Sequence, residues 1–423
     1  RRANRRNFRN IMKPDHRKLG EQLDLFSFHD VAPGTPFWHP NGLIIIKELE
    51  QFIRQLQKER GYLETTTPLL VKKKLYETSG HWEHYRENIF PLELEEKKFP
   101  PRHFAGAREI EKETFAIKPM NCPESTFIYS SRIRSYKDLP LRLSEFGHLY
   151  RRERTGVLTG LFRAYGFTMD DAHIYCRPNQ IAKEVEETLK LALRIHKTFG
   201  LKTSFALATR PDKAMGDPKV WKKAENSLEY VLKKNKLKYE VHPKDGAFYG
   251  PKIDIDVKDS LQRKWTIATA QIDFQMPERF KLSYVDEKGK KQRPVIIHRS
   301  SIGSFERFIG ILLEHYGGAL PLWLSPEQIW IIPVASRHKK YAKKVAGQCN
   351  VERLRYIVKD ENETVSKKIR DGETQKIPYI LVVGDKEMKN KSVRVRQRAK
   401  GDIGEIKLNK FLDKVKKELE TKK

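Results

Sequence analysis

The chain has 423 residues, 38% of them hydrophobic, and 84 Lys+Arg against 55 Asp+Glu set its net charge at +29. This length holds two or three domains with real cores, and no apolar run approaches the roughly 18–20 residues of a membrane span, so no membrane partner is expected. Three scattered cysteines, Cys122, Cys176 and Cys349, exclude a disulfide framework and favour a reducing compartment, while the surplus positive charge points to a polyanion, nucleic acid foremost.

In chain order, residues 1–35 are polar, open on a run of arginines and read as an N-terminal linker or extension; they carry no secretory leader pattern. Ile45, Ile46, Leu49, Ile53 and Leu56 then recur at helical period over Leu43–Leu56, Gly61 ends the helix, and Tyr62 to Pro68 is β-prone. Pro91–Glu113 is charged and aperiodic, a surface loop or hairpin. Helices are predicted over Ile181–Phe199, stopped by Gly200, and over Val220–Lys234. Strands are predicted between Tyr239 and Phe274, and Ile302, Phe305, Ile309 and Leu312 line a further helix closed by Gly317-Gly318. A boundary falls at Pro321–Pro326. Beyond it, strands at Ile329–Val334 and Tyr379–Val383 and an amphipathic helix on Leu408, Phe411, Leu412, Val415 and Leu419 describe a small α/β domain. The domains are thus expected at 1–35, 36–322 and 323–423.

The densest chemistry lies in Leu139–Glu153, a strand ending in Arg151-Arg152-Glu153 that turns at Thr155-Gly156 and returns through Gly160 to Phe167. Arginine offers a planar, permanent charge for phosphate oxygens, and glutamate accepts from an amine or holds a metal. The bland reading is a hairpin with solvated charges, at about even odds. His298-Arg299 leads into Gly303-Ser304-Phe305-Glu306-Arg307-Phe308-Ile309-Gly310, read as a glycine-bearing helix around one arginine. Glycine inside a helix costs about 0.5–1 kcal/mol relative to alanine, so a close approach should compensate. Cys122, His173 and His298 lie far apart, without the local spacing that makes a zinc site legible, and singly each reads as a packed core residue.

Together these pieces resemble the class II aminoacyl-tRNA synthetases, and within them the threonyl-tRNA synthetase family. The helix–turn–strand to Pro68 is similar to motif 1, Arg142–Glu153 with its return strand to motif 2, and Gly303–Arg307 to motif 3. Lys118-Pro119-Met120-Asn121-Cys122-Pro123, Asp170-Asp171-Ala172-His173-Ile174 and Gly246-Ala247-Phe248-Tyr249-Gly250-Pro251-Lys252 resemble the threonyl enzymes, as do Ser79-Gly80-His81-Trp82 and Pro294–Arg299. The resemblance implies an α+β fold: an antiparallel sheet flanked by helices, dimeric through motif 1, then an α/β anticodon-binding domain. It implies threonine–tRNA ligase activity on L-threonine, ATP and tRNA(Thr), in the cytoplasm or an organellar matrix.

It also implies roles. Cys122, His173 and His298 would bind one Zn2+, leaving coordination open, as catalytic zinc does. Zinc would then select threonine, whose amine and β-hydroxyl both reach the metal, over valine; a shape pocket alone separates such pairs by only about 10²-fold. Asp171 would accept the threonine hydroxyl, and Tyr249 and Gln271 would help hold the amino acid. Arg151 would grip the α-phosphate and substrate carboxylate. Arg163 and Arg307 would serve the remaining ATP contacts, with Arg307 on the adenine face opposite Phe167. Glu153 would accept from the adenine amine, with Mg2+ on the phosphates. Asn362, Glu387 and Arg396 match anticodon-reading positions, and Lys376 stands where an arginine is usual.

Four departures stand out. The family's Cys-Pro-Gly-His is here Cys122-Pro123-Glu124-Ser125, Met169 replaces a glutamine, Arg152 replaces an asparagine or histidine, and the Pro91–Glu113 loop is longer. They leave open a second reading, a catalytically silent relative that binds RNA; a prolyl or seryl relative fails on the three zinc-ligand positions. The family's editing domain has no counterpart within these residues, so this chain alone is expected to leave seryl-tRNA uncleared.

Overall fold

A computed structural model describes residues 14–93, 114–154, 156–259 and 262–422. Arg1 to Lys13 of the expected extension, residues 94–113 of the expected loop and Thr155 of the expected turn lie outside the described residues. The flanks of that loop pair as strands, Phe90–Glu93 against Thr114–Ile117.

The first element, α1 (His16–Gln22), is capped by Asp15, whose carboxylate accepts the Arg17 N–H. The helix expected at Leu43–Leu56 is α2 (Pro40–Lys58), with Ile45, Leu49, Phe52, Ile53 and Leu56 on its buried face. Only two residues of the β-prone stretch form strand β1 (Leu63–Glu64). After α3 (Cys122–Ser130) come β2 (Leu141–Tyr150), β3 (Gly166–Cys176), α4 (Ile181–Thr198), β4 (Thr203–Ala208) and α5 (Pro218–Lys234). Then follow β5 (Tyr239–His242), β6 (Lys252–Lys258), β7 (Lys264–Asp273), β8 (Val295–Ser304) and α6 (Phe305–Tyr316).

Eight of these strands form one sheet in the order β5-β4-β6-β7-β8-β3-β2-β1. Its six central strands are antiparallel, as expected, whereas each edge strand joins in parallel. Side chains alternate across a strand, and here that divides two environments. Ala172, Ile174, Ala270, Ile272 and Ile297 face α2, α4, α5 and α6 in one large apolar core. Residues between them face the other way. Phe305, Phe308, Ile309 and Leu312 of α6 are wholly buried, each contributing roughly 1.5–3 kcal/mol.

Two local expectations are corrected. Ile302 and Gly303 end β8 rather than start the helix, because the Ser304 hydroxyl accepts the Arg307 N–H and caps α6 only there. The return strand begins at Gly166, not Gly160, since Gly160–Phe162 is a short 3-10 turn. The glycine inside α6 is therefore Gly310, and a Cβ there would stand 3.0 Å from the Phe162 ring. A close approach does compensate for it.

Strands β9 (Ile329–Pro333), β10 (Tyr356–Val358), β11 (Tyr379–Val383), β12 (Ser392–Gln397) and β13 (Gly401–Lys407) form a second sheet, ordered β10-β9-β11-β12-β13. Helices α7 (Lys339–Val351) and α9 (Leu408–Thr421) close its own core, while α8 (Val365–Thr374) meets Trp330, Ile332 and Ile380 in a smaller cluster. The Arg355 guanidinium bridges the two bodies, pairing with Glu48 of α2 at 2.5 Å and donating to the Trp323 carbonyl at 2.6 Å.

Candidate active site and metal centre

Sheet register assembles the site on the face opposite α2, α4, α5 and α6. Leu143, His173, His298, Gln271 and Lys252 lie side by side across β2, β3, β8, β7 and β6. Two residues along each strand, on the same face, lie Glu145, Asp171, Ser300, Thr269 and Asp254. Residues remote in the chain thus become neighbours. Helix α3 lies across this face and brings Cys122, at its first turn, to the two histidines.

One donor atom each from Cys122, His173 and His298 lies within 4.8 Å of the others, and all three residues are buried. The imidazoles stand perpendicular, with centroids 5.1 Å apart. His298 donates its Nε2–H to Asp273 at 3.1 Å, which leaves Nδ1 as its basic nitrogen; that Nδ1 and His173 Nε2 have no hydrogen-bond partner. Burial holds the Cys122 thiol well above its usual range and His173 well below, so both are neutral. Two orphaned imidazole nitrogens and a thiol at a helix N-terminus suit a thiophilic cation, with Asp273 as the outer carboxylate such a centre needs. The residues fit a metal.

A second cluster, Asp15, His16 and Glu314, has similar spacing. There both imidazole nitrogens are already engaged: Nδ1–H donates to Glu314 at 2.9 Å and Nε2 accepts the Leu161 N–H at 3.1 Å. It is a satisfied histidine, not a vacant centre.

Cys122 and His298 line a cavity of about 460 Å³ that also reaches Arg151, Glu153, Arg163, Phe167, Asp171, Tyr249, Gln271 and Arg307. Arg151 donates Nε–H to the Pro119 carbonyl at 3.1 Å, and its guanidinium stands 5.2 Å over the Phe167 ring. Arg307 donates to the carbonyls of Phe162 at 2.9 Å and Thr266 at 3.3 Å and lies over Trp265. Burial, then the charges of Arg151 and Arg163, push Arg307 down to about 10. Arg163 sits 3.7 Å from Glu153. Three guanidiniums lining one cavity with a single glutamate make a positively charged wall suited to an anion.

Beside the metal ligands, burial pushes Asp171 up to about 6, although Asn121 donates to it at 3.1 Å. Asn121 fits only because the strand opposite carries Gly147, where a Cβ would lie 2.1 Å from its amide. The Tyr249 hydroxyl donates to Gln271 at 2.6 Å. Glu124 and Ser125 find partners of their own, the Tyr76 hydroxyl at 2.8 Å and the Tyr175 hydroxyl at 2.7 Å, and leave Cys122 in place. Met169 lines the cavity.

The other four expected positions lie in the second body, and none lines the cavity. Asn362 is exposed after β10, and Lys376 follows α8. Glu387 is buried and accepts the Gly384 N–H at 3.0 Å, and Arg396 on β12 pairs with Glu373 at 3.1 Å.

Sequence reasoning missed Asp273, Asn121, and the buried pair of Lys118 and Glu145 at 2.8 Å. Asp273 had a signal: it stands two residues from Gln271, hence on the same face of the same strand. Asn121 and Lys118 sit inside the Lys118–Pro123 segment but meet their partners only in three dimensions.

Two family models match the chain: the tRNA synthetase class II core domain (G, H, P, S and T) over residues 106–316, and the anticodon binding domain over 328–418. The chain is similar to the threonine–tRNA ligase of Natranaerobius thermophilus, 46% identical over 408 residues, and to threonine–tRNA ligase 2 of Bacillus subtilis, 44% identical over 410. These alignments take in 96% and 97% of the chain, but it spans only 62% of the length of each of these relatives. Among solved structures it resembles the RNA binding domain of threonyl-tRNA synthetase from Cryptosporidium parvum, with a TM-score of 0.88 at 37% identity, over 95% of this chain and 98% of that one.

Proposed function

The chain belongs to the class II aminoacyl-tRNA synthetases, in the threonyl-tRNA synthetase family, and on that premise we propose that it activates L-threonine with ATP and transfers it to the terminal adenosine of tRNA(Thr). One observation carries the reading. Cys122 and His298, clustered with His173, line the same cavity as Arg151, Arg163 and Arg307.

In the first step the threonine carboxylate attacks the α-phosphorus of ATP, the Pα–O bond to pyrophosphate breaks, and pyrophosphate leaves with the electron pair. Such a step is mostly positioning and charge neutralisation. Arg151, fixed by the Pro119 carbonyl, is suited to hold the α-phosphate against the carboxylate. Arg163 and Arg307 take the remaining nucleotide contacts, and Glu153 accepts from the adenine amine. Asp171 accepts the threonine hydroxyl, while Tyr249 and Gln271, already hydrogen-bonded to each other, orient the amino acid. A zinc ion held by Cys122, His173 and His298 would supply a Lewis acid that asks its ligand for an amine and an oxygen together, which threonine and serine have and valine lacks. Magnesium enters with ATP.

In the second step a hydroxyl of the terminal adenosine of tRNA attacks the adenylate carbonyl and AMP leaves. The +29 charge supports binding of the tRNA backbone, and Asn362, Lys376, Glu387 and Arg396 are proposed to read its anticodon. A second copy of this chain would pack at the β1 edge of the large sheet, where Leu63 is exposed.

The test is amino-acid-dependent ATP–pyrophosphate exchange with metal analysis on the same sample. Threonine should drive exchange, serine weakly, valine hardly at all, with about one zinc per chain. Absence of zinc, or equal exchange with valine, would overturn the reading.

A further inference from the structure

His16 lies far from the metal ligands in sequence, and no motif includes it. Its ring is buried, 4.2 Å from the Phe162 ring by centroids. Nε2 accepts the Leu161 N–H at 3.1 Å, and Nδ1–H donates to Glu314 of α6 at 2.9 Å. The turn at Gly160–Phe162 runs flush against the imidazole, since a Cβ on Gly160 would stand 2.5 Å from Nε2. That turn carries two parts of the proposed nucleotide site. Its Phe162 carbonyl holds Arg307 Nε at 2.9 Å, and Arg163 follows directly, with its own carbonyl accepting the Thr159 N–H at 3.1 Å.

Building on the nucleotide site proposed above, we infer that His16 is a positioning residue for ATP. Its two nitrogens tie the Gly160–Arg163 turn to α6, the helix that bears Arg307, and so fix the distance between the two guanidiniums. The single tautomer with hydrogen on Nδ1 does both tasks at once: it donates to a carboxylate on one side and accepts a backbone N–H on the other. A misplaced turn would shift Arg163 and release Arg307 from its carbonyl, and small displacements of such groups are costly to binding and rate. Threonine should be spared, because its proposed contacts Asp171, Tyr249 and Gln271 lie on β3, before β6 and on β7, outside this turn.

Two substitutions separate this role from simple packing. In His16→Asn the amide can still donate to Glu314 but is too short to reach the Leu161 N–H, whereas in His16→Gln the longer amide keeps an acceptor for Leu161. Isothermal titration of the full chain with a non-hydrolysable ATP analogue should show a Kd raised about tenfold in His16→Asn and within about threefold of the parent in His16→Gln. The melting temperature is read in parallel. Equal Kd values for both variants and the parent, or Kd changes that simply track melting temperature, would overturn the inference. Threonine-dependent exchange by the parent protein separates the two ideas. If the parent binds the analogue without such exchange, the proposed function fails while His16 is still tested; a parent that binds no analogue sinks both.

Discussion

Asp273 accepts the Nε2–H of His298 at 3.1 Å, with both side chains shut away from solvent. The bond selects the tautomer whose free Nδ1 faces Cys122 and His173 and fixes the orientation of the ring. Asp273→Asn keeps an acceptor but removes the charge. Zinc affinity, read by competition with a chromogenic chelator, should fall by about 10–100-fold. An unchanged affinity would mean that Asp273 serves only the fold.

Glu124 is the departure from the family that most needs a partner, being 4% exposed with one oxygen unsatisfied. Its other oxygen accepts the Tyr76 hydroxyl at 2.8 Å. Removing that hydroxyl in Tyr76→Phe strands a buried carboxylate and should destabilise the protein by about 1–3 kcal/mol. Glu124→Gln keeps an acceptor for Tyr76 and should be close to neutral. Urea unfolding of both variants decides; a larger loss in Glu124→Gln would contradict the account.

Stability should also depend on pH through His196, which is 1% exposed and donates Nε2–H to the Ser301 carbonyl at 2.8 Å. Burial lowers it from 6.5 to about 4. Between those values the unfolded chain binds a proton that the folded chain refuses. Its contribution is therefore intact above about 6.5 and is lost as pH falls toward 4, on the order of 3 kcal/mol in all. Buried Glu306, pushed up to about 7, works the other way, favouring the fold at low pH and losing that contribution as pH rises through 7. The difference between the parent and His196→Gln isolates the histidine. Unfolding free energies measured from pH 7.5 to 5 should fall less steeply in the variant, and parallel curves would refute the assignment.

How much of this was legible in the sequence follows from the range of each interaction. The buried faces of α2 and α4 repeat at helical period within one element, and their bounds fall within three residues of the expectation. The β8–α6 junction was misread because Ile302, Phe305 and Ile309 fit a helical spacing whether or not the first of them is in a strand; the Ser304 cap, a local hydrogen bond, decides it. The metal trio is illegible locally for a different reason. His173 meets His298 only through the register of two strands remote in sequence, and Cys122 arrives on a helix from outside the sheet. Spacing cannot encode that, so only the resemblance brought the three together. The partnering of Asn121 with Asp171 likewise depends on Gly147 in the strand opposite.

The separation of the two bodies gives the last prediction. Arg396 stands on β12 with its guanidinium 3.1 Å from Glu373, near the end of α8, and does not line the cavity. Its role, if it reads an anticodon, is confined to the tRNA step. Arg396→Ala should raise the KM for tRNA(Thr) in aminoacylation by roughly 10-fold or more, the worth of about 1.4 kcal/mol in one charged contact. Threonine-dependent exchange should stay unchanged, because the cavity and its arginines sit in the other body. The loss should also shrink as salt rises, since ions screen the contact in the parent protein as well. An equal fall in exchange and aminoacylation would instead place Arg396 in support of the Arg355–Glu48 contact between the bodies. In that case Glu48→Gln should reproduce the same double loss.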